Sequence, residues 1–280
     1  MMLRAPAKLN LCLYVGERRE DGLHELRSLF CPLSLADGIA ISAGESEHDE
    51  VVSPGVEGPN LAAAALAALR AAGWEGPPTR VEIEKRVPVA AGLGGGSADA
   101  AAVLRHLAAD RDDLERIAAA LGADVTSQLE PRFALVGGSG EQVAALADPG
   151  EFAVVLVPQD EGLDTAAVYA EADRIGVLRD AAGLEKAEAA LRDAAGSGAP
   201  PLEYADLLVN DLERAALSLR PEIAEALDAL NEVGAAAALV TGSGPTAFGL
   251  FPDLPAADRA AVALPPRYAG AIVSAPQRYI

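Results

Sequence analysis

The chain of 280 residues is 51% hydrophobic and 23% charged, enough to bury one or two cores of ordinary domain size. Its 42 acidic residues against 22 basic ones leave a formal charge of -20, which argues against a nucleic-acid or anionic-membrane partner, and no protein partner is inferable. Two cysteines, Cys12 and Cys31, are too few to staple the chain; their apolar settings predict reduced core thiols in a cytoplasmic protein.

The N-terminus alternates instead of running apolar, which predicts a half-buried strand on Leu9, Leu11, Leu13 and Val15 and no signal peptide. No apolar run approaches the roughly 20 residues of a membrane span. Further strands are predicted at 25–33, 39–42, 80–84, 133–136, 152–158, 236–241, 247–251 and 271–274. Alanine makes up 61 residues and blurs the apolar period, so helices are read from their ends. One follows Asn60 and stops at Gly73. Another spans Asp112 to Leu121, with Asp112 and Glu115 at capping-box spacing and Gly122 as the stop, and a third starts at Pro221. Residues 194–201 read as a loop, and no fixed-period repeat emerges. The mixture points to an α+β architecture, with a break near Pro149-Gly150 giving halves at 1–149 and 150–280.

The strongest chemical signal lies at 81–104, where a strand meets a glycine-rich turn and then a helix opening at Ser97-Ala98-Asp99. Gly92, Gly94, Gly95 and Gly96 offer positive φ, open backbone approach and inward amides, and the helix start adds free N–H groups and a positive dipole end. Such a turn suits a nucleotide triphosphate, although a glycine run can also simply turn a corner. It is neither a Walker A loop nor a dinucleotide fingerprint. Ser97 could cap the helix or lend its hydroxyl to phosphate or Mg²⁺; Asp99 could complement the dipole or face the metal. A second strand-terminal glycine turn, Thr241-Gly242-Ser243-Gly244, strengthens the reading.

Only three lysines occur, Lys8, Lys85 and Lys186, and Lys8 interrupts an alternating apolar strand. It either snorkels to a sheet edge or carries chemistry. Asp124, just past a helix stop, could bind turn amides; beside Lys8 it could accept a proton from a substrate hydroxyl, the ammonium keeping it ionised. His48 in an acidic stretch and His106 in an alanine-rich helix read as solvated side chains. Asn210-Asp211 reads as packing or substrate-side geometry.

Taken together, APAKLNL at the N-terminus, EDGLHEL at 20–26, VPVAAGLGGGSADAA at 87–101, LGADV at 121–125, GSGE at 138–141, NDLE at 210–213 and TGSGPTAF at 241–248 resemble the GHMP kinase family. The closer resemblance is to its branch that phosphorylates the 2-hydroxyl of a cytidylated methylerythritol in the non-mevalonate route to isoprenoid precursors. The resemblance implies a two-domain α+β fold with the active site in the interdomain cleft, the halves being an N-terminal ATP-binding domain and a C-terminal domain. It implies ATP as co-substrate with Mg²⁺, and it assigns no metal ligand to a protein side chain.

The family's catalytic lysine and aspartate fall on Lys8 and Asp124. Its ATP-binding segment falls on Pro88, Val89, Ala90, Ala91, Gly92, Leu93, Gly94, Gly95, Gly96, Ser97 and Ala98. Substrate binding falls on Asn10, His24 and Tyr169, with Thr241, Gly242, Ser243 and Gly244 closing over phosphates or substrate. The family's usual second aromatic is replaced by Leu23. That departure motivates one other reading, a kinase of a different small alcohol; a second alternative, from a different class, is a degenerate nucleotide-binding homologue, against which Lys8, Asp124 and both glycine turns speak.

Overall fold

A computed structural model describes residues 2–277. The chain divides into two compact units: Met1–Lys8, Leu35–Val89 and Gly94–Pro131 form one, and Leu9–Ser34, Ala90–Leu93 and Arg132–Ile280 form the other. Two long strands, β1 (Met2–Arg18) and β2 (His24–Ala43), contribute segments to both.

β1 is not half-buried, as its alternation suggests; every residue from Ala5 to Gly16 is buried. Its second face carries Lys8, Asn10 and Cys12, which have partners or apolar surroundings and so tolerate burial. Likewise the strands predicted at 25–33 and 39–42 are one strand, because Ala36 and Asp37 between them are buried and remain extended.

In the first unit, β3 (Glu50–Val52), α1 (Leu61–Ala71) and β4 (Thr79–Glu84) precede α2 (Gly95–Ala108), α3 (Leu114–Leu121) and α4 (Ala123–Ser127). β4 pairs antiparallel with the 38–43 end of β2, Ile39 opposite Ile83, and parallel with β3. Asn60 starts α1 by accepting from the Ala62 and Ala63 amides, a cap worth about 1 kcal/mol. The expected capping box of α3 does not form: Asp113, not Asp112, is the cap position and makes no side-chain cap bond, its carboxylate being held by Arg111 and Arg116. The core packs Leu66 and Leu69 of α1 and Ala101, Val103 and Leu104 of α2 with Ile39, Val81 and Ile83. Alanines on both helices let their backbones approach closely.

In the second unit, β5 (Ala134–Gly137) pairs with the 28–30 segment of β2 and with β6 (Gln142–Ala145). Then follow β7 (Ala153–Val157), α5 (Thr165–Ile175), α6 (Ala181–Ala195), α7 (Glu213–Leu219), α8 (Ile223–Glu232), β8 (Ala238–Val240), β9 (Ala247–Phe251), α9 (Leu254–Ala263) and β10 (Ile272–Ser274). A four-stranded antiparallel sheet runs β10-β7-β9-β8. Ile223, Leu227 and Leu230 of α8 cover it, the face expected from their spacing, with Ala257 and Ala260 of α9. No helix among the described residues is long and apolar enough to cross a membrane. Cys12 and Cys31 are buried free thiols, and burial raises the Cys12 thiol to about 12.

Candidate active site

In the first unit, Lys8 is 7% exposed, and its ammonium donates to both carboxylate oxygens of Asp124 at 3.1 Å. Gly122 ends α3 with φ +148°, and Asp124 falls in the first turn of α4 directly after it. α4 is closed by one bond of its own and tied at its C-terminal end by two others. Ser127 Oγ donates to the Asp124 carbonyl, Gln128 Nε2 to the Pro6 carbonyl, and Arg105 of α2 to the Gln128 carbonyl. The Asp124 side chain remains 41% exposed, so a substrate hydroxyl can reach it while the lysine holds it from behind.

The glycine turn meets the same pair. Gly94, at φ +65°, occupies the cap position of α2, and a Cβ added there would lie 3.4 Å from the Lys8 Cβ. The first intrahelical bond of α2 runs from Ala98 N to Gly94 O, so the amides of Gly95, Gly96 and Ser97 have no acceptor within the helix. Gly95 and Gly96 are helical rather than left-handed; positive φ in this turn belongs to Ala90, Gly92 and Gly94. Ser97 sits inside the first turn and does not cap it, leaving its hydroxyl for a ligand. Ala98, Ala91 and Leu93 are buried and pack, so only their backbone can serve a nucleotide, whereas Val89 is 62% exposed.

Beneath α2 lies a cluster that sequence reasoning did not assemble. Lys85 donates to Asp37 and to Asp99, and Asp37 also accepts from the Arg86 and Val87 amides. Burial would lower the Lys85 ammonium, but the bonds to Asp37 and Asp99 outweigh it and raise it. Asp99 is thus committed to Lys85. Burial, only partly offset by Lys85, pushes its carboxyl up to about 7, and its Oδ1 has no hydrogen-bond partner.

A carboxyl raised on folding makes the native state bind protons that the unfolded chain releases, so stability falls as pH rises between 3.8 and about 7. Asp99→Asn should flatten that part of the stability profile, measured as melting temperature against pH relative to wild type. Parallel profiles would contradict the assignment.

In the second unit the other expected residues gather in two groups. Thr241 is fully buried; its hydroxyl accepts from the Asn10 amide at 2.9 Å, so it builds the turn rather than facing solvent. Asn10 Nδ2 donates to Ser28 at 2.8 Å, while its Oδ1 is buried without a hydrogen-bond partner, 3.2 Å from where a Gly242 Cβ would stand. Asn210 holds the same turn, donating to the Val240 and Gly242 carbonyls at 2.7 and 2.8 Å. Thr246 Oγ1 donates to the Ala91 carbonyl at 2.7 Å, joining this turn to the Ala90–Leu93 part of the first one. The two glycine turns meet backbone to backbone: a Cβ on Gly92 would stand 2.5 Å from the Gly244 carbonyl oxygen.

The second group is His24 at the start of β2 with Tyr169 and Asp173, one turn apart on α5. The His24 and Tyr169 rings lie 5.0 Å apart at 36°, and His24 Nε2 meets Asp173 at 3.3 Å. Burial lowers the imidazole below its ordinary value, with Asp173 opposing, which favours the neutral ring with its one donor and one acceptor. Leu23 is half exposed. Its carbonyl accepts from Arg19 N, and its amide donates to Asp21. His48 and His106 are exposed, as expected.

The family model described as GHMP kinases N terminal domain matches residues 60–138, and that described as GHMP kinases C terminal matches 184–270. The chain is 41% identical over 258 residues to the 4-diphosphocytidyl-2-C-methyl-D-erythritol kinase of Mycolicibacterium gilvum, covering 87% of this chain and 80% of that one. It is 40% identical over 285 residues to the enzyme of the same name from Nocardia farcinica, covering 98% and 91%. A crystal structure of 4-(cytidine 5'-diphospho)-2C-methyl-D-erythritol kinase superposes with a TM-score of 0.79 at 38% identity, covering 99% of this chain and all of that one.

Proposed function

This chain belongs to the GHMP kinases and, within them, to the 4-diphosphocytidyl-2-C-methyl-D-erythritol kinase family, and from that premise we propose how its residues divide the work. It is an ATP-dependent kinase of isoprenoid-precursor biosynthesis, phosphorylating the 2-hydroxyl of the cytidylated methylerythritol. The observation that carries the division is the Lys8–Asp124 pair beside Gly94.

Asp124 takes the proton of the 2-hydroxyl as its oxygen attacks the γ-phosphorus. Lys8, donating to both oxygens of that carboxylate, holds it in place and steadies the developing alkoxide. The amides of Gly95, Gly96 and Ser97, with the dipole of α2, bind the nucleotide phosphates. A site built on backbone amides needs little basic surface, which reconciles a polyanionic co-substrate with a net charge of -20.

Among the described residues no group of three or more His, Cys, Asp or Glu side chains could cage a metal. Mg²⁺ is commonly held by substrate phosphates and water with few protein ligands. When bound, the ion neutralises phosphate charge; Ser97 is the hydroxyl that would hold it, since Asp99 is engaged by Lys85.

His24, and Asn10 with its unpartnered Oδ1, hold the cytosine end, with Tyr169 as the stacking ring. The family matches fall on either side of Pro149-Gly150, which supports a boundary there along the sequence, whereas the compact units are interleaved, residues 9–34 and 90–93 belonging with the unit that begins again at Arg132. Cys12 and Cys31, free and buried, support a cytoplasmic location.

Release of ADP from Mg-ATP, compared across the cytidylated substrate, methylerythritol, homoserine and mevalonate, tests the reading. The cytidylated alcohol should lead in kcat/KM by about 10²-fold or more, because polar groups built to meet the base go unpaired with the others. Faster turnover of another alcohol would overturn it. Leu23→Tyr restores a second ring at a turn whose backbone is already fixed. Stacking is worth about 1–3 kcal/mol, so KM for the cytidylated substrate should fall roughly tenfold at unchanged kcat. An unchanged KM would mean the base stacks elsewhere.

A further inference from the structure

Between β7 and α5, residues 159–165 touch both glycine turns. A Cβ built on Gly162 would stand 3.0 Å from the Ala90 Cβ and 3.2 Å from its carbonyl oxygen. Leu163 Cδ1 lies 3.5 Å from the place of a Gly244 Cβ, and the Thr165 and Ser243 hydroxyls are hydrogen-bonded at 3.0 Å. At its outer end the segment is tied to the C-terminus of α7, where Arg220 donates to Glu161 at 2.7 Å and to the Gly162 carbonyl at 3.4 Å. At its inner end it becomes α5, which carries Tyr169 and Asp173 to His24.

Ala90 is the one non-glycine with positive φ among the described residues, at +56°. A left-handed alanine costs about 1–2 kcal/mol and persists only where its surroundings enforce it. Glycine at 90 would adopt this conformation freely, but it would give the 159–165 segment no side chain to press on.

We propose that residues 159–165 form a positioning strap for the ATP loop. Gly162 bears on the Ala90 methyl group and so sets the loop that carries Gly92 against Gly244. The proposal rests on 88–98 being the phosphate-binding loop. Neither Gly162 nor Arg220 touches the reacting atoms; both act through Ala90. The absence of a side chain at 162 is the requirement, since Gly162 itself has no positive φ that would demand glycine.

The test is steady-state kinetics with the full chain, Mg-ATP and the cytidylated substrate. In Gly162→Ala the added methyl displaces Ala90 by a few tenths of an ångström. Because misplacing a bound group by about 1 Å can cost 10²-fold, KM for ATP should rise roughly tenfold, with kcat and the other KM within about twofold. Ala90→Gly in the same chain moves the methyl from one side of the contact to the other, and should return KM for ATP to within about threefold of wild type.

Melting curves identify the folded variants. Should Gly162→Ala not fold, Arg220→Gln decides, with an expected rise of about threefold in KM for ATP alone. An unchanged KM for ATP in a folded Gly162→Ala, or no recovery in the swap, overturns the strap. Wild type without ATP turnover would instead remove the kinase reading on which it rests.

Discussion

Asp124→Asn should lower kcat by about 10³-fold while leaving both KM values within roughly threefold of wild type, because a positioned general base contributes 10²–10⁴ to the chemical step. The substitution is nearly isosteric. The amide oxygen can still accept from Lys8, and the bonds that pin α4 run through the Asp124 carbonyl, Gln128 and Arg105 rather than through the carboxylate. The melting temperature should therefore stay within about 2 °C, a shift that corresponds to roughly 1 kcal/mol at this chain length. Lys8→Met should also depress kcat, since it removes the cation that meets both carboxylate oxygens. Combining the two should cost little more than either alone, because the pair acts as one unit. ADP-release rates with matched melting curves check this, and a folded Asp124→Asn within tenfold of wild type would remove the residue as base.

The second large effect is expected at Gly92. Its φ is +75°, and a Cβ there would stand 2.5 Å from the Gly244 carbonyl oxygen, an atom of another turn's backbone that cannot swing aside. Gly92→Ala should lose about 2–4 kcal/mol of stability, combining a left-handed alanine with overpacking, and lose ATP affinity as the two turns part. Gly96→Ala is the matched contrast. Position 96 lies within α2, and an added Cβ would meet only Leu61 Cδ1 at 3.6 Å. Alanine should hold or raise stability there by up to about 1 kcal/mol. With the Gly95, Gly96 and Ser97 amides proposed to bind phosphate, KM for ATP should nevertheless rise, because the methyl group adds bulk beside them. Denaturant titrations with ATP kinetics separate the two: at 92 stability falls as KM rises, and at 96 KM rises with no loss of stability.

Legibility in the sequence followed the range of the interactions. Strand and helix positions could be read from Asn60, Gly73, Gly122 and the apolar spacing of α8, because caps and periods are local. Lys8 stood out by interrupting an apolar alternation in a chain with three lysines. Asp124 did not stand out by itself; a carboxylate after a helix stop has many uses, and only the family resemblance joined it to a lysine 116 positions away. The parts that escaped are side chains bonded to distant backbone. Thr246 reaches Ala91 across 155 residues, Asn210 holds Gly242, and Asp37 anchors Arg86 and Val87. Such bonds leave no period and no composition signal. Gly162 escaped for a related reason, since its role is the space it leaves for Ala90. The capping box at Asp112 was a false local signal, lost when arginines on both sides claimed Asp113.

This chain moves the γ-phosphoryl group of ATP to one particular hydroxyl, whose proton Asp124 is proposed to receive. Phosphorus NMR of the products from Mg-ATP and the cytidylated methylerythritol tests it most directly. The expected result is ADP together with an equimolar new phosphomonoester on the 2-oxygen, both lost in Asp124→Asn. Inorganic phosphate as the only new product, or a phosphomonoester on another oxygen, would contradict it.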